Sequence, residues 1–182
     1  MMKILAAIVV NIGRLNRLIG NVLIWLTLGT VLVCFTVVVQ RYFFSTSQVW
    51  MQDLYVWLNG AMFMGVAGFT LFRNEHVRVD VYYGPARLRS KAWRDLFGVV
   101  AFLIPYCVIV WIYALPYVQR SWRLMEGSAN VGGMPGLFIL KSFVLVFVVV
   151  IALQGIAMAL RSVLVLADRQ DLLPPLYRYP QD

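Results

Sequence analysis

Four long stretches without a charged side chain constrain the fold of this 182-residue chain more than any other feature. They are 22, 19, 23 and 19 residues long, and clusters of charged residues separate them. Because a bilayer core is about 30 Å thick and a helix rises about 1.5 Å per residue, each stretch can cross a membrane as a helix. The uncharged stretches are residues 18–39, 54–72, 96–118 and 142–160.

We therefore predict an all-α integral membrane protein with four transmembrane helices, since only helices and closed barrels satisfy the backbone in lipid. A β-barrel would need short strands of alternating polarity, which the sequence lacks. A soluble bundle of four buried helices is the alternative, but each of its helices would show a polar face. Hydrophobic residues make up 62% of the chain and charged residues 13%, against about 45–50% and about 25% in soluble domains. The spans are predicted at about residues 18–39, 50–72, 96–118 and 137–160.

Lys and Arg are concentrated in segments that would share one side of the membrane. The N-terminal segment, the loop between the second and third spans and the C-terminal segment hold 12 of the 16 basic residues, and the other side holds 4. Because basic residues are enriched in cytoplasmic loops, both termini are predicted to be cytoplasmic. The net charge of +8 then reflects topology and suits anionic membrane lipids, so no nucleic-acid partner is needed to explain it.

Residues 1–17 and 161–182 flank the four spans as separate segments. The first is apolar over residues 4–10 and carries Arg14 and Arg17, which favours an interfacial amphipathic helix, with a frayed terminus as the alternative. The first span is too long for the apolar region of a cleavable signal peptide, which is about 7–15 residues. The cytoplasmic C-terminal tail contains several prolines and is predicted to be extended and mobile over residues 173–180.

The inventory of reactive side chains excludes most chemistry. His76 is the only histidine, whereas haem-carrying bundles need several axial histidines within their spans. Cys34 and Cys107 lie in different spans and form neither a CxxC pair nor a metal-ligand cluster. No phosphate-binding loop, dinucleotide fingerprint or Ser/His/Asp set is present. We therefore predict a protein that is not an enzyme and that has no catalytic, cofactor-binding or metal-binding residue.

Asp53 is the ionisable residue closest to the interior of a span, about one turn into the second helix. A transporter that works alone normally keeps such a residue in mid-membrane. Asp53 can instead be a helix-start carboxylate favoured by the helix dipole, or make a polar contact with Arg41 or with a partner protein. Asn59 lies deeper, where side-chain amides usually bond a neighbouring helix.

Small residues at helical spacing indicate close helix packing. Gly65 and Gly68 share one face of the second helix, and Gly155 lies on a similar small-residue face of the fourth. Such residues let helix backbones approach closely, either within the chain or against a partner. In the third helix, Pro105 and Pro116 are predicted to bend the helix or to mark its end.

Several short strings, each weak alone, become informative in their order and spacing. Over about residues 15–165 they resemble the small membrane subunit of TRAP transporters, the tripartite ATP-independent periplasmic transporters (the DctQ-like family). The segment from His76 to Asp80, after the second of four spans, is fairly specific when the other strings are in register. The strings are Gln40-Arg41-Tyr42-Phe43-Phe44, Trp50-Met51-Gln52-Asp53, Asn74-Glu75-His76-Val77-Arg78-Val79-Asp80, Ser121-Trp122, Glu126-Gly127-Ser128, Gly132-Gly133-Met134-Pro135, Lys141 and Leu153-Gln154-Gly155.

The resemblance implies a small permease subunit in the bacterial inner membrane, with four spans and both termini inside. Its implied partners are a large membrane subunit, which holds the substrate and sodium sites, and a soluble periplasmic substrate-binding protein. The small subunit would brace the large one as a scaffold and help to dock the binding protein. The transported substrates would be organic acids, including dicarboxylates. Because sodium coupling is expected in the partner subunit, no cofactor is expected in this chain.

The resemblance also implies roles for particular residues. His76, Arg78 and Asp80 would form a hydrogen-bonded turn at the cytoplasmic rim of the second helix and fix the loop against the large subunit, with a solvated charged loop as the alternative. The candidate interface or structural residues are Arg41, Trp50, Asp53, Asn59, Gly65, His76, Arg78, Asp80, Trp122, Glu126, Lys141 and Gln154.

Four of these candidates lie near the outer membrane surface in the predicted topology. Trp50 and Trp122 are predicted to be interface anchors or partner contacts, because tryptophan favours the headgroup zone. Glu126 is predicted to pair with Arg123, three residues earlier, or to face the binding protein. Lys141 is predicted to extend its ammonium group to the outer interface.

Two other classes of function remain open at this point. An independent four-helix transporter would need an essential intramembrane acid, and the sequence offers only Asp53 near the edge of a span. A membrane anchor of a respiratory enzyme would be recognised by a haem absorption band. We favour the non-catalytic transporter subunit, because the four spans carry no charge in their cores.

Overall fold

The computed structural model describes residues 2–74, 76 and 86–179. Within these residues the chain is helical, without a β-strand. A π-helical turn, Val99–Leu103, joins two of the helices, and 3₁₀ turns follow the last one at Gln170–Leu172 and Pro175–Tyr177. The α-helices are α1 (Met2–Leu23), α2 (Trp25–Phe43), α3 (Val49–Gly65), α4 (Ala67–Phe72), α5 (Leu88–Gly98), α6 (Ile104–Arg123) and α7 (Leu137–Leu166).

Successive helices form four stretches that are long and apolar enough to cross a membrane, which confirms the predicted fold class. The predicted spans all lie inside these stretches. A helix that crosses a bilayer needs a long run of apolar residues, and such a run is easily recognised in the sequence. The stretches are Met2–Phe43, Val49–Phe72, Leu88–Arg123 and Leu137–Leu166.

The helices extend beyond the predicted spans at both ends of the chain. α1 begins at Met2, so the alternative of a frayed N-terminus is wrong. α7 continues past residue 160 to Leu166. A charge-free gap marks the part of a helix that suits the lipid core, whereas the helix itself continues wherever its backbone hydrogen bonds and side-chain packing persist.

The chain divides into two compact units, each with its own contacts. The first unit comprises Met1–Leu18, Gly68–Ile109 and Val149–Asp182. Its core brings together side chains from the first helix, the last helix and the C-terminal turns. The buried members of that core are Ala6, Val9, Leu164, Leu173 and Tyr177.

The C-terminal residues fold back onto this core. Leu173 is 1% exposed and Tyr179 is 3% exposed, while Tyr177 packs on Phe72 with 5.5 Å between ring centroids. Pro175 occupies the first position of a 3₁₀ turn, where its fixed φ is favourable. The prediction of an extended tail is therefore wrong for residues 173–179, because burial of these side chains outweighs the tendency of prolines to keep a chain open.

A π-helical turn lets the third stretch continue through its first proline. The Ile104 N–H donates to the Val99 carbonyl across five residues, one more than in an α-helix. Pro105 lacks an N–H and its ring crowds the preceding turn, so the wider turn accommodates it without ending the helix. Pro116 lies inside α6, which continues to Arg123. Neither proline ends the third helix.

Two glycines in the first unit allow close helix contacts. A Cβ on Gly68 would come 2.8 Å from the carbonyl oxygen of Val150, and a Cβ on Gly155 would come 2.5 Å from Leu103 Cδ2. Real Cβ atoms do not approach so closely, so the small residues of these two faces pack within this chain.

The second unit comprises Ile19–Ala67 and Val110–Val148. In it, α2 packs against α3, and a Cβ on Gly65 would collide with the side chain of Leu23. Gly65 therefore leaves room for the side chain of Leu23 against α3. This unit also holds the loop of residues 124–136, which connects α6 to α7 and is called the α6–α7 loop below.

Candidate functional site

Asp53 in α3 contacts the α6–α7 loop through three hydrogen bonds. The Asn130 side-chain amide donates to Asp53 Oδ1 at 3.0 Å, and the Met134 backbone N–H donates to Oδ2 at 3.0 Å. The Ser128 side chain provides the third hydrogen bond. With 9% of its surface exposed, the carboxylate holds the middle of the loop against the beginning of α3.

Gly133 allows the loop to approach the carboxylate this closely. A Cβ at this position would collide with Asp53 Oδ2 and would lie 2.5 Å from Ser128 Oγ. The neighbouring Gly132 has a φ of +77°, a conformation that glycine adopts at little cost. The Gly-Gly pair is therefore required by the geometry of the loop.

Glu126 anchors the first part of the same loop. Its Oε2 accepts hydrogen bonds from Lys141 Nζ at 2.5 Å and from Ser121 Oγ at 2.6 Å. The hydrogen bond from Lys141, followed by the one from Ser121, holds the pKa of Glu126 below its ordinary value. The Lys141 ammonium also lies 4.3 Å from the centre of the Tyr117 ring, which adds a cation–π contact. The carboxylate thus connects the end of α6 to the beginning of α7.

Trp122 completes this set of contacts. Its indole N–H donates to Ser142 Oγ at 2.8 Å, and its ring lies 4.6 Å from the ring of Phe138. Trp122 is therefore a link between α6 and α7 within the chain. Trp50 is 44% exposed, and its role as an interface anchor or partner contact stays a prediction.

Three predicted contacts in this unit differ from the structure. Asp53 bonds the α6–α7 loop and not Arg41, whose side chain is exposed. Glu126 pairs with Lys141, far along the chain, and not with Arg123. Lys141 in turn directs its ammonium to Glu126 instead of extending it freely to an interface. The three predictions did not consider contacts with the α6–α7 loop, which supplies the partners of Asp53 and of Lys141.

A buried amide pair joins two helices of the first unit. Asn16 Nδ2 donates to Gln154 Oε1 at 2.9 Å, and the two residues are 1% and 4% exposed. Asn16 Oδ1 has no hydrogen-bond partner in the part of the chain that is described, and it lies beside Gly68. Gln154 is thus a structural residue that joins α7 to α1.

A second polar cluster fixes the C-terminal turns to α5 and α7. Asp95 Oδ2 accepts a hydrogen bond from the Tyr179 hydroxyl at 2.8 Å and lies 3.4 Å from the guanidinium of Arg161. The Arg161 guanidinium also stacks 4.1 Å from the centre of the Tyr179 ring, and Tyr179 shares a 3.0 Å hydrogen bond with Ser162. Burial raises the pKa of Tyr179, so the phenol stays neutral.

Of the three residues predicted to form a turn after the second span, only His76 lies among the described residues. Its Nε2 is 3.0 Å from Thr70 Oγ1 in α4, a contact that agrees with a hydrogen-bonded end to that helix. Arg78 and Asp80 lie outside the described residues. Asn59 in α3 is exposed and makes no side-chain hydrogen bond within the described part of the chain.

Several contact residues were absent from the sequence predictions. Asn16 lies on the buried face of α1, whose members recur at spacings of three and four as Ala6, Val9, Gly13, Asn16 and Gly20. That periodicity was the available signal for a helix packed on protein. The partners of Asp53 and the Asp95 cluster carried no comparable signal, because they join distant parts of the sequence.

The described residues contain no group of three or more His, Cys, Asp and Glu side chains that could hold a metal ion. The polar side chains that are brought together instead join helices, loops and turns. These features define a multi-pass membrane protein whose buried polar residues stabilise its own fold.

Residues 30–165 match the family described as tripartite ATP-independent periplasmic transporters, DctQ component. The match covers most of the chain, which therefore belongs to this family. The protein is a component of a TRAP transporter and not an enzyme. No match was found among curated proteins or among solved structures.

Proposed function

We propose that this chain is the small subunit of a sodium-coupled uptake system for organic acids, such as dicarboxylates, in the bacterial inner membrane. It braces a large membrane subunit, which carries the substrate and sodium sites, and a periplasmic binding protein delivers the substrate. Both termini are cytoplasmic, and the chain itself holds no cofactor. DctQ family membership supports the assignment to a transporter subunit.

The hydrogen bonds of the Asp53 carboxylate support the proposal that this chain does not couple transport to an ion. A coupling carboxylate must exchange its partners as an ion or proton binds and leaves. Asp53 accepts hydrogen bonds from Asn130 and Met134 and is enclosed by the α6–α7 loop. Releasing it would require the loop to open, which makes Asp53 a structural residue.

The exposed surfaces of α2 and α3 support association with a larger membrane partner. No residue of α2 is buried within the chain. Asn59 is exposed on α3, and an unpaired amide in hydrocarbon is unfavourable. A hydrogen bond from the large subunit would satisfy Asn59, which supports this face as the contact surface of the scaffold.

Reconstitution into liposomes tests the proposal directly. Three preparations would be compared under an inward sodium gradient: the small subunit alone, the large subunit with the binding protein, and all three together. We expect uptake of an organic acid only when the small subunit accompanies the large one. Sodium-driven uptake by the small subunit alone would contradict the proposal and favour an independent transporter.

The variants Asn59→Ala and Asp53→Asn distinguish contact from coupling. Asn59→Ala should weaken co-purification with the large subunit while leaving the lone subunit folded. Asp53→Asn should reduce uptake only as far as it reduces the amount of assembled complex. Complete loss of sodium dependence in a fully assembled Asp53→Asn complex would show that Asp53 takes part in coupling.

A further inference from the structure

A groove in the first unit lies between α1 and the C-terminal turns and has a volume of about 450 Å³. This is within the range of about 300–1,000 Å³ that is usual for small-molecule sites. Its apolar lining includes Ala6 and Val10 of α1 and, from the turns, Leu172 and Pro174. The groove therefore presents an apolar surface that the described part of the chain leaves uncovered.

Two basic side chains are the first and the last residues of α1 that line this groove. Lys3 and Arg14 line it and are exposed. They are eleven residues apart, which is close to three helical turns, so they project from the same face of α1 with about 16 Å between their backbones. Neither forms an ion pair within the described part of the chain.

We propose that this groove binds an anionic phospholipid with two phosphate groups, of the diphosphatidylglycerol type. Each phosphate pairs with one of the two cations, the glycerol that links the phosphates spans the distance between them, and the acyl chains cover the apolar lining. The separation of Lys3 and Arg14, shortened by their long flexible side chains, suits two linked phosphates better than a single one. A membrane protein meets such lipids at the level of their headgroups, where basic residues favour anionic lipids.

Bound lipid would join α1 to the C-terminal turns from outside. On the inner side the same two elements meet through the core that contains Ala6, Leu173 and Tyr177. The lipid would thus stabilise the arrangement in which the last residues of the chain pack on the first helix.

Native mass spectrometry of the purified full-length chain tests the proposal. Diphosphatidylglycerol would be titrated beside phosphatidylglycerol at equal phosphate concentration, phosphatidylcholine with the same acyl chains, and inorganic phosphate. We expect diphosphatidylglycerol to bind most tightly and inorganic phosphate not to displace it. Equal binding of phosphatidylcholine, or displacement by inorganic phosphate, would overturn the proposal.

Variants locate the lipid. Since each basic residue near the membrane surface contributes about a 5-fold gain in affinity, the double variant K3Q/R14Q should bind about 25-fold more weakly. The control R17Q/R123Q removes the same charge outside the groove and should retain wild-type affinity. Ala7→Trp should fill the groove and abolish binding with both cations in place.

Thermal unfolding of each variant confirms that it is folded, and the single variants K3Q and R14Q replace the double variant if it is not. Equal loss of lipid binding in K3Q/R14Q and R17Q/R123Q would show that binding depends on the general surface charge and not on the groove. That result would overturn the proposal. A dimer of the chain that retains no lipid and dissociates on Ala7→Trp would assign the groove to a second copy, again overturning it.

Discussion

Asp53→Asn keeps the size of the side chain but replaces one carboxylate oxygen with an amide that donates hydrogen bonds. At least one of its donors, such as Asn130 Nδ2 or the Met134 N–H, then loses its acceptor, which costs about 1–3 kcal/mol for a buried group. We expect the free energy of unfolding to fall by about this amount and the amides of residues 128–134 to exchange hydrogen faster. Hydrogen-exchange mass spectrometry measures the second effect.

The control for this variant is Asn59→Ala, on the exposed face of the same helix. Surface changes of this kind usually alter stability by less than about 0.5 kcal/mol. Unchanged exchange at residues 128–134 in Asp53→Asn would show that other contacts hold the loop.

Glu126 gives the α6–α7 loop a dependence on pH. Because the Lys141 and Ser121 hydrogen bonds lower the pKa of Glu126 in the folded state, its stabilising contribution is fully present above the ordinary value of 4.5. That contribution is lost as the pH falls from there through the lowered pKa. We expect the melting temperature in detergent to fall over this acidic range. In Glu126→Gln the decrease should be smaller, whereas an equal decrease in both proteins would exclude Glu126 as the cause.

At the scale of elements, the C-terminal turns are held by one aromatic side chain in particular. Tyr177 is 8% exposed and contacts Phe72 and Gly13. Tyr177→Ala should destabilise the first unit by about 3–5 kcal/mol, as large aromatic truncations in cores do. Limited proteolysis should then cleave within residues 167–179, whereas we expect the same residues to resist cleavage in the wild-type protein.

Tyr177→Phe is the matched control, because it keeps the ring and removes only the hydroxyl. It should leave the cleavage pattern as in the wild-type protein. If Tyr177→Ala remains as resistant as Tyr177→Phe, the turns are fixed chiefly by the Tyr179 contacts with Asp95 and Ser162.

The membrane spans are the elements that the sequence predicts well. A span needs about 20 apolar residues, a requirement that acts on consecutive positions and is therefore visible in one dimension. The C-terminal turns show the opposite case. Leu173, Tyr177 and Tyr179 become buried only because α1, α5 and α7 provide surfaces for them. A prediction from the nearby prolines alone does not take those surfaces into account.

The polar contacts of the candidate residues were not predicted from the sequence. Asp53, Glu126, Lys141 and Gln154 all take part in polar contacts, yet each partner was missed. Asp53 is 77 residues from Asn130, and Asn16 is 138 residues from Gln154. Pairings over such distances depend on which helices are neighbours, and composition and periodicity do not specify that.

At the scale of the whole molecule, an even number of spans places both termini on one side of the membrane. From the distribution of Lys and Arg we propose that this side is the cytoplasm. In that proposed orientation the α6–α7 loop and the turn between α2 and α3 would face the periplasm, where a binding protein would approach. Exposed positions near the two termini and in the two loops allow this topology to be measured: Ile4 is 64%, Leu176 57% and Val131 97% exposed, and Ser45 is also exposed.

Single cysteines at these positions would be placed in a background with Cys34 and Cys107 replaced by serine. A membrane-impermeant maleimide added to intact spheroplasts should label Val131→Cys and Ser45→Cys. Ile4→Cys and Leu176→Cys should react only after the membrane is permeabilised. Labelling of Ile4→Cys and Val131→Cys from the same side would contradict a four-span topology. The reverse pattern, with only the termini labelled, would leave four spans in place but invert the molecule, and the α6–α7 loop would then be unable to meet a periplasmic protein.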